Sequence, residues 1–231
     1  MHETRKLPDR QGNGKFFPSG SLQFIECVVD YLRRFWQKTL VRRFLLKISR
    51  AIFGWPPRPA STQEKYSLVT RWGQQRKIDN LIETGTFEGD MVEAQRGVFR
   101  KIVTIELGDK LFEAAKRRFT AYDHIHVLHG DSGTMLVEAM RLIDGPAVYW
   151  LDAHYSRGVT AHGETETPIL KELSLIAARG QNGDVILIDD ARHFGLKSAY
   201  PKLATVQKFA AKHWPAYSFK VESDMICITP P

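Results

Sequence analysis

The stretch Leu81-Ile82-Glu83-Thr84-Gly85-Thr86-Phe87-Glu88-Gly89-Asp90 decides how the rest of the chain is read. Its apolar opening reads as the end of a buried strand, its glycines as a turn, and Asp90 as the start of a helix. Glycine reaches positive φ without penalty and lets a ligand approach the backbone, while a helix beginning just beyond it aims free N–H groups into the same crevice. The stretch is therefore a ligand-holding device at the carboxyl end of a strand. Glu83 stands just before the first glycine, where its charge would repel a pyrophosphate. The expected ligand presents hydroxyls or an ammonium group instead.

Outward from this stretch, short apolar runs rich in Ile and Val alternate with helical patterns. Strands are expected at Asn80 to Glu83, Lys101 to Glu106, Ile125 to His129, Ala147 to Leu151 and Asp184 to Ile188. Helices are expected near Ser67 to Gln75, Asp90 to Gly97, Asp109 to Phe119, Ser132 to Leu142, Thr167 to Ala178 and Ala199 to His213. Two last apolar runs, Tyr217 to Val221 and Met225 to Ile228, are separated only by Glu222, Ser223 and Asp224, a hairpin spacing. The pattern predicts an α/β fold: a Rossmann-like, doubly wound, seven-stranded sheet, mostly parallel, closed by a C-terminal antiparallel hairpin. Ligands of such sheets sit beyond the carboxyl ends of the strands.

Each of those ends delivers an acid: Glu83, Glu106, Asp131 beside Ser132, Asp152, and Asp189 with Asp190. Any one of them, Asp131 above all, can be explained as a helix cap. Five together call for a ligand. Glu106 lies about twenty residues beyond the glycine loop, where an acid ending the second strand accepts both hydroxyls of a ribose. The glycine spacing is not that of the dinucleotide fingerprint. With Glu83, it favours S-adenosylmethionine over NAD, because that cofactor carries an ammonium and a ribose and no phosphate. Asp152, Asp189 and Asp190 form an oxygen-only set suited to Mg²⁺ or another hard divalent cation. His154, two residues beyond Asp152, is a candidate general base for a substrate hydroxyl.

These residues resemble a known family. From Leu81 to about Gly195 the sequence is similar to class I S-adenosylmethionine-dependent methyltransferases, and among them to the metal-dependent O-methyltransferases related to catechol O-methyltransferase. The resemblance rests on Glu83-Thr84-Gly85-Thr86-Phe87-Glu88-Gly89, Thr104-Ile105-Glu106, Gly130-Asp131-Ser132, Trp150-Leu151-Asp152 and Leu187-Ile188-Asp189-Asp190. It implies that Glu83, Gly85, Thr86, Phe87, Gly89, Glu106, Asp131, Ser132 and Asp152 bind the cofactor, with the adenine edge at Asp131 and Ser132. It implies that Asp152, Asp189 and Asp190 hold the metal, and that Asp152 and His154 serve catalysis. Family members often end the last motif in Asp-Asn. The Asp-Asp here looks like the bacterial enzymes that methylate sugar hydroxyls of natural products, which place a base two residues after the first metal aspartate. The expected activity is O-methylation of a small-molecule hydroxyl.

The segment Tyr155 to Pro168 is long and polar for a connection and is expected to be a lid or substrate loop, with His162 and Glu166 as minor candidates for contact. Arg192 and His193 are further candidates for touching substrate.

The formal charge of +7 is unevenly placed. Residues 1 to 80 hold 16 Lys and Arg against 6 Asp and Glu, or +10; the remaining 17 and 20 give −3. The motif-bearing part is thus slightly acidic, which argues against a nucleic-acid groove across it. It also lacks the Asn/Asp-Pro-Pro-aromatic box of amino-methylating enzymes. A nucleic-acid or protein methyltransferase docked by the basic third, and a non-catalytic cofactor-binding module, are the alternatives weighed.

Residues 1 to 60 are expected to form a basic, partly disordered helical extension, and 61 to 231 the methyltransferase domain. Between Leu22 and Phe53, apolar residues such as Ile25, Val28, Leu32 and Phe35 recur at helical spacing among Arg33, Arg34, Lys38, Arg42, Arg43, Lys47 and Arg50. Such helices suit a homo-oligomer contact or the surface of an anionic membrane. Only two cysteines occur, Cys27 and Cys227, so neither a disulfide framework nor a Cys-based zinc site is available. With no apolar run of the secretory or membrane-spanning kind, the expected location is the cytoplasm.

Overall fold

The computed structural model describes residues 44, 45, 48, 56–152, 168–180, 182–197 and 200–231. The chain divides into two units, Met1–Phe53 and Gly54–Pro231. Of the first, only Phe44, Leu45 and Ile48 are described, helical and exposed. The basic helices expected over residues 22 to 53 otherwise lie outside the described residues.

The second unit is built on a seven-stranded sheet: β1 (Asn80–Thr84), β2 (Lys101–Glu106), β3 (Ile125–His129), β4 (Ala147–Leu151), β5 (Val185–Ile188), β6 (Ser218–Glu222) and β7 (Met225–Thr229). Their spatial order is β3-β2-β1-β4-β5-β7-β6. The first five pair in parallel, while β7 runs antiparallel to both β5 and β6. The order reverses between β1 and β4. A crevice opens at that switch point, beyond the carboxyl ends of the strands.

The helices are α1 (Thr62–Arg76), α2 (Asp90–Gln95), α3 (Asp109–Phe119), α4 (Ser132–Arg141), α5 (Ile169–Arg179) and α6 (Leu203–His213). Alternation along the strands sends side chains to two cores. Ile82, Tyr149, Leu151, Ile186 and Ile188 pack with Leu136 of α4, Leu173 and Ile176 of α5 and Val206 of α6. Leu81, Ile102, Val148, Trp150 and Leu187 face the other way, onto Val69 and Trp72 of α1, Val92 of α2 and Phe119 of α3.

Helix α1 is five residues longer at its start than the expected Ser67 to Gln75. Ser61 and Glu64 form a capping box: the Ser61 hydroxyl accepts the Glu64 N–H at 3.3 Å and the Glu64 carboxylate accepts the Ser61 N–H at 2.8 Å. The helix is fastened along its length. Gln95 of α2, fully buried, donates to the Tyr66 carbonyl at 3.1 Å and accepts from Thr70 at 2.9 Å, and Arg71 pairs with Glu222 of β6 at 2.7 Å. Strand β5 begins at Val185, one residue later than expected. Asp184 instead accepts the Ala147 N–H at 2.8 Å and pairs with Arg179 at 3.2 Å, fixing the far end of the sheet.

Candidate functional site

The ladder continues one step past the strand ends, which sets the rim of the crevice. Asp152 donates its N–H to the Thr84 carbonyl at 3.1 Å, Asp189 to Leu151 at 3.1 Å, Gly130 to Glu106 at 2.9 Å and Gly85 to Ile105 at 2.9 Å. Residues far apart in sequence are thereby held along one edge: the glycine loop, Glu106, the Gly130–Ser132 turn, Asp152 and the Asp189–Asp190 pair.

The loop after β1 carries three positive φ angles, 86° at Gly85, 51° at Phe87 and 81° at Gly89. Gly89 N-caps α2, and a Cβ there would meet the Phe119 ring at 2.8 Å, so both conformation and packing demand glycine. Glu106 organises the loop: one carboxylate oxygen accepts the Phe87 N–H and the other the Gly108 N–H, both at 2.8 Å. Each oxygen has a second lone pair. A ribose diol can occupy those without displacing the backbone bonds.

Glu83 is buried behind the loop. The Thr104 hydroxyl, beside it in register on β2, donates to it at 2.6 Å, and Thr104 lies 2.5 Å from the Thr86 hydroxyl. Burial raises its pKa to about 8; the Thr104 bond works the other way, and nearby Asp152 and Glu106 push it further up. Such a carboxyl, facing like charges, is suited to a ligand's cation. Asp131 caps α4, accepting the Gly133 N–H at 2.8 Å, so the capping explanation holds for it while it stands at the β3 end of the crevice. Next to it, buried Ser132 lies with Thr84 against Glu172 of α5, a fully buried carboxyl whose pKa burial lifts to about 7.

The other side of the crevice differs from the sequence reading. The Lys65 ammonium, on the first turns of α1, donates to Asp189 Oδ2, and Asp189 Oδ1 accepts the Asp190 N–H at 2.7 Å. Asp190 takes left-handed backbone geometry, φ 61°, at the start of a 3₁₀ turn (Ala191–His193). Its carboxylate pairs with Arg192 at 2.7 Å and lies 3.6 Å from His193. Arg192 also pairs with buried Asp224, which accepts the Arg192 N–H at 2.7 Å. Burial opposes the Lys65 charge, but Asp189, Asp152 and Asp190 outweigh it and raise the ammonium pKa.

The expectation that Asp152, Asp189 and Asp190 form a metal site does not fit this arrangement. Among the described residues no group of three His, Cys, Asp or Glu side chains is placed to hold a metal ion. Asp189 already carries the Lys65 ammonium on one oxygen and the Asp190 N–H on the other, and Asp190 is turned to Arg192, so two of the three carboxylates are compensated by cations of the protein itself. His154, with His162, Glu166 and the loop 155 to 167, lies outside the described residues.

Sequence reasoning placed Glu83, Gly85, Thr86, Phe87, Gly89, Glu106, Asp131, Ser132, Asp152, Asp189 and Asp190 on one rim, and the structure brings them there. It missed Lys65 and Thr104. The Ser61-x-x-Glu64 capping box was the available signal for the start of α1; nothing local marks Thr104, whose role comes from its register with Glu83.

No family model matches the sequence, and no curated protein matches it. Solved structures do. An S-adenosylhomocysteine-bound methyltransferase from Podospora anserina aligns with a TM-score of 0.52 at 17% identity, covering 96% of this chain and 100% of its own. The chain has the S-adenosylmethionine-dependent methyltransferase fold. A putative caffeoyl-CoA O-methyltransferase from Staphylococcus aureus aligns at 0.52 and 15%, covering 88% of this chain and 98% of that one. The O-methyltransferase TomG from Streptomyces achromogenes, solved with S-adenosylmethionine, gives 0.51 and 16%, with 84% and 91% covered. In the fold seen here, Glu83 and Glu106 lie at the carboxyl ends of the neighbouring strands β1 and β2, with β1 on one side of the switch point. No described helix is long and apolar enough to cross a membrane.

Proposed function

We propose that the protein is an S-adenosylmethionine-dependent O-methyltransferase acting on a hydroxyl of a small molecule. The observation that carries this reading is the pair of buried acids at the ends of β1 and β2: Glu83 behind the glycine loop and Glu106 with both oxygens on loop amides. Glu83 would take the cofactor's ammonium, Glu106 its ribose hydroxyls, and Asp131 with Ser132 its adenine edge. The O-methyltransferases among the structural neighbours support the same class of acceptor.

When bound, the cofactor supplies an electrophilic methyl group on a sulfonium. The chain's part is positioning and proton transfer. Asp152 and the Lys65–Asp189 pair stand on the acceptor side of Glu83, where a substrate hydroxyl would be oriented. His154, two residues beyond Asp152 in sequence, is the proposed base that removes its proton. Sugars are the favoured acceptors and phenols the second choice.

The test is calorimetric binding of S-adenosylhomocysteine, followed by transfer of a labelled methyl group to a panel of sugars and phenols. Binding that is lost in Glu106→Ala, together with a methylated hydroxyl product, is expected. A wild-type chain that binds neither form of the cofactor sinks the reading.

A further inference from the structure

We propose that Lys65 is the resident cation of the acceptor-side carboxylates and stands where a divalent metal would, so that the site works without one. The inference deepens the reading above and rests on it only for placing these carboxylates beside the acceptor.

Asp189 is buried at the carboxyl end of β5, and its two oxygens are taken by the Lys65 ammonium and the Asp190 N–H. Asp152 and Asp190 lie near enough to favour the charged ammonium as well. Asp190 is turned to Arg192 at 2.7 Å, and Arg192 is itself fixed by Asp224. A hard cation requires about six oxygens at roughly 2.0–2.6 Å. Here the Lys65 ammonium on Asp189 and the Arg192 guanidinium on Asp190 already neutralise two of the carboxylates that would supply them.

The placement of Lys65 is built into the fold. It lies one residue beyond the capping box of α1, and the next residue, Tyr66, is bonded through its carbonyl to fully buried Gln95. The helix cannot slide without breaking those contacts. An ammonium has three donors, so one given to Asp189 leaves capacity for an acceptor oxygen. Lys65 is therefore a positioning residue for the acid cluster, with the chemistry of a fixed monovalent cation.

The experiment is Mn²⁺ titration of the full chain, followed by electron paramagnetic resonance, for wild type, Asp189→Asn, Lys65→Ala, Lys65→Arg and the double variant Lys65→Ala/Asp189→Asn. Wild type and Lys65→Arg are expected to show no Asp189-dependent Mn²⁺ binding. Removing one adjacent positive charge in Lys65→Ala should raise Mn²⁺ affinity by about tenfold or more, and Asp189→Asn should cancel the gain. Wild-type Mn²⁺ binding that disappears in Asp189→Asn overturns the proposal, as does a Lys65→Ala chain that takes up no more Mn²⁺ than wild type. S-adenosylhomocysteine binding by each variant shows that it is folded, and Lys65→Gln replaces any variant that is not. Failure of wild type to bind that nucleoside would remove the methyltransferase reading, while the Mn²⁺ comparison would still decide the role of Lys65.

Discussion

Lys65 and Asp189, 124 residues apart, meet as an ion pair at the carboxyl end of β5. The contact makes α1 part of the site, though it precedes every strand. Its geometry depends on how the helix starts. Replacing the Ser61 cap by Ala removes the acceptor for the Glu64 N–H and should lower stability by about 1 kcal/mol. Urea unfolding of Ser61→Ala against wild type measures it. An unchanged midpoint would mean that the Arg58–Glu64 pair alone suffices to start the helix.

Glu83 gives a proton-linkage prediction. With its pKa raised to about 8, the carboxyl of the free protein is largely protonated at pH 7. A cofactor ammonium placed against it would favour the charged form, so binding should release nearly one proton at pH 7 and less as pH rises above 8. Calorimetry in buffers of different ionisation enthalpy counts that proton. Glu83→Gln should abolish the release and weaken binding by roughly tenfold to a hundredfold, the size of a charged hydrogen bond. Release that persists in Glu83→Gln would assign it elsewhere.

The sheet was legible because strand and helix periods differ and the acids recur at strand ends; β2, β3 and β4 begin and end where the apolar runs do. The strand order was legible only as a class, since which strand neighbours β5 depends on β7 inserting between β5 and β6, a pairing with no local signature. The site divides in the same way. Glu83, Gly89 and Glu106 carry their meaning in spacing. Lys65 does not: one lysine among the basic residues of the first eighty reads as solvated charge, and the docking of α1, through Val69 and Trp72 in the core and Gln95 beside Tyr66, turns it inward. The metal expectation rests on the same gap, because three aspartates at neighbouring strand ends look uncompensated in the sequence, where the cations of α1 and of the turn after β5 cannot be placed beside them.

Gly89 tests the loop's backbone. Ala at φ 81° is strained, and its Cβ would lie 2.8 Å from Phe119 Cε2 and 2.9 Å from Cζ. Both effects act in one direction, and Gly89→Ala should cost about 2–4 kcal/mol, with weakened S-adenosylhomocysteine binding. Pairing it with Phe119→Leu separates the causes. If the double variant regains most of the stability, the ring clash dominates; if it regains none, the backbone does.

Glu172 supplies the last prediction. It is fully buried between Thr84 and Ser132, and its pKa stands near 7 against an ordinary 4.5. A raised carboxyl pKa means that the native state binds more protons than the unfolded one between those values, so its contribution is present at low pH and is lost as pH rises from about 4.5 through 7. Burial of Asp184, with a pKa near 6, acts in the same direction. From pH 5 to pH 8 the loss from Glu172 alone is on the order of 2 kcal/mol. Glu172→Gln keeps an amide that can meet the two hydroxyls but has no charge to bury. The variant should therefore match wild type near pH 5, exceed it by roughly 2 kcal/mol at pH 8, and show a flatter profile between. Urea unfolding at half-unit pH steps resolves this. A Gln variant that differs from wild type by the same amount at every pH would show that Glu172 titrates alike in the folded and unfolded protein, so that burial does not raise its pKa.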